Sequence, residues 1–192
     1  MNKRRVGVLI SGSGSNLQAL IDACNQPDYP AEISVVISNK ADAFGLTRAK
    51  NAGIPAHVID HKQFATRREF DEAMQNILEQ YNVEIVCLAG FMRLLTAEFV
   101  ERWQGRLLNI HPSLLPAFKG AHAVAAALKA GAKTTGCTVH QVITEVDAGP
   151  VIMQAEVSIL PDDTEETLLT RIHAEEHRIY PEALKALILR DA

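Results

Sequence analysis

A short apolar segment, Leu107–Pro116, carries the residue types in this chain that are best suited to chemistry. Asn109 and His111 stand two residues apart, so in an extended backbone their side chains point to the same face. The proline at position 112 favours extended geometry at His111. An amide donor beside an imidazole suits a reaction at a carbonyl carbon, in which an oxyanion is stabilised and a proton is moved. The alternative is structural: Asn109 closes a turn and His111 is a hydrogen-bonded histidine of the fold.

A second segment supplies a carboxylate. The alternating residues 138–146 lead into the acidic turn Asp147-Ala148-Gly149-Pro150. An Asp beside an imidazole favours the charged ring and fixes its orientation, so we expect Asp147 to contact His111 and prepare it to act as an acid. Asp, Gly and Pro are also the residues that an ordinary turn requires, and that role stays open.

A loop of small residues follows the first predicted strand and opens the first predicted helix. It consists of Gly12, Ser13, Gly14, Ser15 and Asn16. Backbone N–H groups at a helix N-terminus bind phosphate, and small residues let the anion approach. A tight turn with an Asn cap is the alternative. A dinucleotide loop is disfavoured because position 17 is not glycine, and no Walker sequence occurs.

Residues 91–95, Phe-Met-Arg-Leu-Leu, come directly after a buried strand, Ile85–Leu88. Ligands of open α/β sheets bind beyond the carboxyl ends of such strands, so this cluster could form an apolar wall for a flat heterocycle. Ordinary core packing would use the same residues.

These segments together resemble a known family. The run Asn109–Pro116 followed by Asp147-Ala148-Gly149-Pro150 resembles the signature of formyl transferases that use 10-formyltetrahydrofolate. Residues 10–17, 38–43, 88–93 and 176–181 are similar to those members that formylate glycinamide ribonucleotide in purine biosynthesis. The resemblance spans nearly the whole chain. It implies direct formyl transfer between two small-molecule substrates, with 10-formyltetrahydrofolate as donor cosubstrate and no metal.

The resemblance also implies a role for each matching residue. Asn109, His111 and Asp147 are the expected catalytic residues. The glycinamide ribonucleotide is expected to contact Gly12, Ser13, Gly14, Ser15, Asn16, Pro112 and Glu176, the last through its ribose hydroxyls. The folate is expected to contact Arg67, Met92, Arg93, Leu94, Leu95, Asn109 and Asp147.

Three other functions are weighed against this one. Hydrolases of the same family carry an additional N-terminal domain, and transferases that act on initiator transfer RNA carry an additional C-terminal domain. The chain begins almost at its first strand and stops at Ala192, so we expect neither. A noncatalytic nucleotide or folate sensor would have no reason to keep Asn109, His111 and Asp147 together.

The elements expected to position these residues alternate along the chain. Strands are predicted over 6–10, 33–38, 57–59, 85–88, 107–109, 137–142 and 151–157. Helices are predicted over 16–24, 44–51, 67–81, 96–103, 121–129 and 164–189. This order predicts an α/β fold, a doubly wound and mostly parallel sheet with helices on both faces. The later strands, which alternate in polarity, are expected to form a more exposed edge.

Composition limits the classes of protein to which this chain can belong. The 192 residues are 47% hydrophobic, which suits one domain over 1–192, with substrate phosphate bound by the N-terminal half and the folate site completed by the C-terminal half. The net charge of −4 disfavours nucleic acid as a partner. Three scattered cysteines predict a reducing cytoplasm, and no apolar run approaches the roughly 20 residues of a membrane span. A monomer or homodimer is expected.

One motif points to a metal. His173-Ala174-Glu175-Glu176-His177 satisfies the H-x-x-E-H pattern of some zinc peptidases. No peptidase architecture surrounds it and little chain follows to supply a further ligand. An amphipathic, solvated helix face is favoured, and no metal site is predicted.

Overall fold

The computed structural model describes residues 2–192. Seven strands form one sheet in the order β3-β2-β1-β4-β5-β6-β7. The strands are β1 (Arg4–Ile10), β2 (Ala31–Ser38), β3 (Ala56–Val58), β4 (Ile85–Ala89), β5 (Leu107–His111), β6 (Thr134–Gln141) and β7 (Val151–Ser158). The helices are α1 (Ser15–Cys24), α2 (Gly45–Asn51), α3 (Arg67–Gln80), α4 (Ala97–Arg102), α5 (Ala123–Lys129) and α6 (Glu165–Arg190).

The sheet is mostly parallel, which confirms the predicted fold class. Strands β1 to β5 pair in parallel, whereas β6 pairs antiparallel with β5 and β7 pairs antiparallel with β6. All five residues of β4 are buried, as expected of a strand covered by helices on both faces. The expected exposed edge is β7 alone. Strand β6 is largely buried because it lies between β5 and β7, with α6 packed against the sheet there.

Each face of the sheet has its own hydrophobic core. Buried side chains of α1 and α6, with those of α2 and α5, pack on one face. Those of α3 and α4 pack on the other, around Phe70, Met74 and Trp103. The long α6 is tied to the sheet by Tyr180, whose hydroxyl donates to the carbonyls of Leu88 at 2.8 Å and Leu108 at 3.2 Å. The helix is therefore fixed against the strands whose ends carry the candidate site.

The strand order reverses direction between β1 and β4. From β1 the chain winds outward to β2 and β3, and then returns to the other side of β1 as β4 and β5. The loops after β1 and β4 therefore diverge to opposite faces and leave a crevice at the carboxyl ends of the strands. None of the helices within residues 2–192 is long and apolar enough to cross a membrane.

Candidate active site

Two cavities meet at the carboxyl ends of β1, β4 and β5. The first, about 380 Å³, is lined by residues 11–16 together with Lys40, His173 and Glu176. The second, about 530 Å³, is lined mainly by residues 90–95, 109–112, 120–123 and 142–147. Both cavities contact Gly90, Met92, Ile110 and Pro112, so they share one wall. Ligands in the two cavities would meet across that wall.

The loop at residues 12–16 presents free backbone donors to the first cavity. Gly14 precedes α1 in a left-handed conformation, with φ of +71°, and no side chain within residues 2–192 caps this helix. Its first N–H groups are therefore available to an anion. Arg48 donates from Nε to the carbonyl of Ser13 at 2.8 Å and holds the loop from outside. Gly45 packs so closely on Gly14 that a Cβ at Gly14 would lie 2.6 Å from the Cα of Gly45.

A buried carboxylate lies beside this loop. Glu176, only 4% exposed, accepts from the Nδ2 of Asn16 at 2.9 Å and lines the first cavity. Burial raises the pKa of Glu176 to about 7, although the hydrogen bond from Asn16 opposes that rise. His173 lines the same cavity, and burial lowers its pKa, which favours the neutral ring. Glu176 thus supplies oxygen acceptors to the space next to the loop. The His173 ring and the uncapped N–H groups of α1 supply donors.

Asn109 is held by a histidine on the neighbouring strand. The antiparallel register of β5 and β6 places Asn109 opposite His140, and Asn109 Nδ2 lies 3.4 Å from His140 Nε2. His140 Nδ1 donates to the carbonyl of Gln141 at 3.1 Å, which leaves Nε2 as the acceptor. Burial lowers the pKa of His140, which favours the neutral ring. One amide hydrogen of Asn109 is therefore used by His140, and the other remains for a ligand.

His111 is enclosed by protein oxygens on both ring nitrogens. Its Nδ1 lies 3.6 Å from Asp147 Oδ2, and its Nε2 lies 2.8 Å from the carbonyl of Phe118. Asp147 Oδ2 also accepts the backbone N–H of Gly120 at 2.7 Å. The two side chains thus hold the loop that precedes α5. Ser113 adds a third contact by donating to the carbonyl of Ala117 at 2.6 Å.

The wall predicted for a heterocycle lines the second cavity. The side chains of Met92 and Leu94 are exposed, at 73% and 58%, while Phe91 stacks on the buried Phe70 with ring centroids 6.5 Å apart. The Nε of Arg93 is buried without a partner among residues 2–192. Exposed apolar side chains on an anchored loop are the features expected of a surface that receives a flat apolar ligand.

The structure brings together most of the residues predicted from sequence. The first cavity collects Gly12, Ser13, Gly14, Ser15, Asn16, Pro112 and Glu176, and the second collects Met92, Arg93, Leu94, Leu95, Asn109, His111 and Asp147. Arg67 stands apart: it is exposed at the start of α3 and lines neither cavity. Sequence reasoning missed Lys40 and His173, as well as the backbone groups of Phe118 and Gly120. Lys40 could have been found, because it follows a strand that ends beside the crevice.

The H-x-x-E-H motif does not gather a metal site. The rings of His173 and His177 stack on α6 with centroids 6.2 Å apart, whereas Glu176 turns toward Asn16. Within residues 2–192 no group of three or more His, Cys, Asp or Glu side chains is placed to hold a metal ion.

Comparison with known proteins gives concordant results. The formyl transferase family model matches residues 4–184. The phosphoribosylglycinamide formyltransferase of Haemophilus influenzae is 47% identical over 182 residues, which cover 95% of this chain and 86% of that protein. The crystal structure of glycinamide ribonucleotide transformylase 1 from Symbiobacterium toebii superposes with a TM-score of 0.93 at 52% identity, covering 95% of this chain and 86% of that one.

A longer class of relatives contains the same domain. The trifunctional purine biosynthetic protein adenosine-3 of Gallus gallus is 55% identical over 184 residues, or 96% of this chain. The chain spans only 18% of the length of that protein. The family match covers nearly all of the sequence, and the solved relative from Symbiobacterium toebii shares the fold. The chain therefore belongs to the formyl transferase family.

Proposed function

We propose that this chain transfers the formyl group of 10-formyltetrahydrofolate to the amine of glycinamide ribonucleotide, a step of purine biosynthesis. The observation that carries the proposal is the wall shared by the two cavities. A phosphate-binding loop opens on one side of it and an apolar heterocycle site on the other, with Asn109, His111 and Asp147 next to the junction. Such an arrangement suits group transfer between two bound substrates.

The nucleotide occupies the first cavity in this proposal. Its phosphate accepts hydrogen bonds from the uncapped N–H groups at the start of α1, and the nearby Lys40 adds positive charge. The ribose hydroxyls donate to Glu176, since a carboxylate accepts from both members of a diol. The amine then points toward Pro112 and the shared wall.

The folate occupies the second cavity. Its pterin ring packs on residues 91–95, and backbone groups of that loop pair with the ring edge. Arg67 lies outside the cavity, so it can meet only the part of the folate that extends toward solvent, such as its glutamate carboxylates. This ligand acts as formyl donor, and the proposal requires no metal.

The reaction is a direct attack. The neutral amine adds to the formyl carbon, and a tetrahedral oxyanion forms. The free amide hydrogen of Asn109 donates to that oxyanion. The bond from carbon to N10 then breaks, the amine nitrogen loses a proton and N10 gains one. No covalent enzyme intermediate is needed, because the substrate supplies its own nucleophile.

His111 acts mainly through its charge in this scheme. Protonated on both nitrogens, the ring donates to the Phe118 carbonyl and faces the Asp147 carboxylate, and its positive charge stabilises the oxyanion nearby. Direct proton delivery from Nε2 requires that the Phe118 carbonyl first release that nitrogen. A water molecule on Asp147 is the other route for the proton.

Three further points stay predictions within the proposal. The compartment is the cytoplasm, in keeping with the free thiols of Cys24, Cys87 and Cys137. The chain works as one domain with two small-molecule substrates. It does so as a monomer or homodimer, without nucleic acid or membrane.

A steady-state assay tests the proposal. Purified protein is mixed with 10-formyltetrahydrofolate, with and without glycinamide ribonucleotide, and both deformylated folate and formylated nucleotide are measured. Equal amounts of the two products, formed only when the nucleotide is present, are expected. Formate release without the nucleotide would indicate a hydrolase, and no turnover would favour a noncatalytic binding protein.

A further inference from the structure

One buried hydroxyl joins three loops at the carboxyl ends of neighbouring strands. Ser11, directly after β1, donates from Oγ to Asn39 Oδ1 at 2.5 Å, and the same Oγ accepts the backbone N–H of Met92 at 2.8 Å. Asn39 follows β2, and Met92 follows β4. Ser11 and Asn39 are 5% and 3% exposed, so water does not compete for these bonds.

The chain of hydrogen bonds continues beyond Asn39. Its Nδ2 lies 3.2 Å from His61 Nδ1, and because an amide nitrogen only donates, the ring nitrogen is the acceptor. This contact turns the amide oxygen of Asn39 toward Ser11. His61 packs edge-on against Phe70 at 6.1 Å, and Phe70 stacks on Phe91, the residue before Met92. His61, at the far end of this series of hydrogen bonds, is thus also packed, through Phe70 and Phe91, against the loop that contains Met92.

Ser11 and Met92 belong to the two loops that would hold the two substrates. Ser11 precedes Gly12, the first residue of the phosphate-binding loop, and Met92 lies in the wall shared by the cavities. The hydroxyl proton of Ser11 is already donated to Asn39, so this side chain is a connection between loops more than a ligand donor. The spacing between the two loops is set at this point.

We propose that Ser11 and Asn39 are positioning residues that fix the separation between the amine and the formyl carbon. The inference rests on the proposed function. Displacing reacting groups by about 1 Å can cost on the order of a hundredfold in rate, even when each ligand still binds. Loss of the Ser11 hydroxyl frees the Met92 loop without removing any group that contacts the reacting atoms. Turnover should therefore fall more than affinity.

Steady-state kinetics of Ser11→Ala and Asn39→Ala test whether turnover falls more than affinity. We expect kcat to fall at least about tenfold in Ser11→Ala, while KM for each substrate changes less than about threefold. Asn39→Ala keeps the bond from Met92 to Ser11, so its kcat should fall less. Thr135→Val is the matched control, because it removes a buried hydroxyl that has no partner within residues 2–192 and lines neither cavity. Its kinetics should equal those of the wild type.

Amide hydrogen exchange gives a readout that does not depend on activity. In the unliganded protein the Met92 N–H should exchange at least about tenfold faster in Ser11→Ala than in the wild type or Thr135→Val. Normal kcat in Ser11→Ala would overturn the inference, as would a loss carried entirely by KM, or unchanged exchange at Met92. If Ser11→Ala does not fold, Asn39→Ala takes its place. A fall in its kcat that exceeds the change in KM would support the inference, and a normal kcat would overturn it. If the wild type itself forms no product, the proposed function fails, and exchange alone decides whether Ser11 holds the Met92 loop.

Discussion

Replacing Glu176 by glutamine should stabilise the unliganded protein while weakening its hold on the nucleotide. Glu176 is buried beside Asn16, and burial raises its pKa from 4.5 to about 7. In the unfolded chain the same carboxyl ionises near its ordinary pKa. At a pH between these two pKa values, the folded state keeps a proton that the unfolded state has lost. The contribution of Glu176 to the free energy of unfolding therefore falls as the pH rises.

The size of the effect follows from that difference in pKa. Each pKa unit corresponds to about 1.4 kcal/mol, so the ionised carboxylate costs the fold about 3 kcal/mol once the pH is above about 8. Glutamine has the same shape, never ionises and still accepts from Asn16. The variant should therefore be about 3 kcal/mol more stable than wild type at about pH 8.5 and equal to it at about pH 4.5.

Urea unfolding at both pH values measures the free energy of unfolding. Steady-state kinetics measure KM for the nucleotide. A hydrogen bond to a charged acceptor is worth about 1.5–3 kcal/mol, so KM for the nucleotide should rise about tenfold or more. Glu175→Gln is the control: that neighbour pairs with Arg178 at the surface, at 2.6 Å, and lines neither cavity. A stability difference that is absent, or that does not vary with pH, would show that burial does not hold the Glu176 carboxyl protonated.

Four further substitutions test other parts of the site. Asn109→Ala and His111→Ala should each lower kcat by about a hundredfold or more while the protein stays folded, since each removes one source of oxyanion stabilisation; near-normal turnover in either would contradict its role. Gly14→Ala should lower the free energy of unfolding by at least about 1 kcal/mol and weaken nucleotide binding, because φ is +71° and the added Cβ would meet Gly45; denaturant titration measures the first effect and KM the second. His140→Leu should lower kcat about tenfold with little change in KM, because the Asn109 amide would lose the contact that orients it; an unchanged kcat would leave His140 with a packing role alone.

The part of this site that lies within single segments could be predicted from sequence. The alternation of side chains along a strand is a local property, and β5 does extend through His111, so Asn109 and His111 both line the second cavity. The small residues after β1 likewise predict a turn and the start of a helix. Such features depend only on neighbours along the chain.

What could not be predicted depends on register and on backbone groups. The contact between Asn109 and His140 exists because β5 and β6 pair antiparallel in one register, and the sequence does not state that register. The carbonyl of Phe118 faces His111 only because the loop before α5 folds back, with Phe118 and His122 in left-handed conformations. Backbone carbonyls occur at every residue, so residue types cannot single this one out.

The pairing of Asn16 with Glu176 has a consequence for biosynthesis. The two residues are 160 positions apart, so the loop at residues 12–16 is synthesised long before α6 exists to complete the first cavity. At about 5–20 residues per second, that interval is on the order of ten seconds. A ligand that needs both Asn16 and Glu176 therefore cannot assist folding of the nascent chain before α6 has been synthesised.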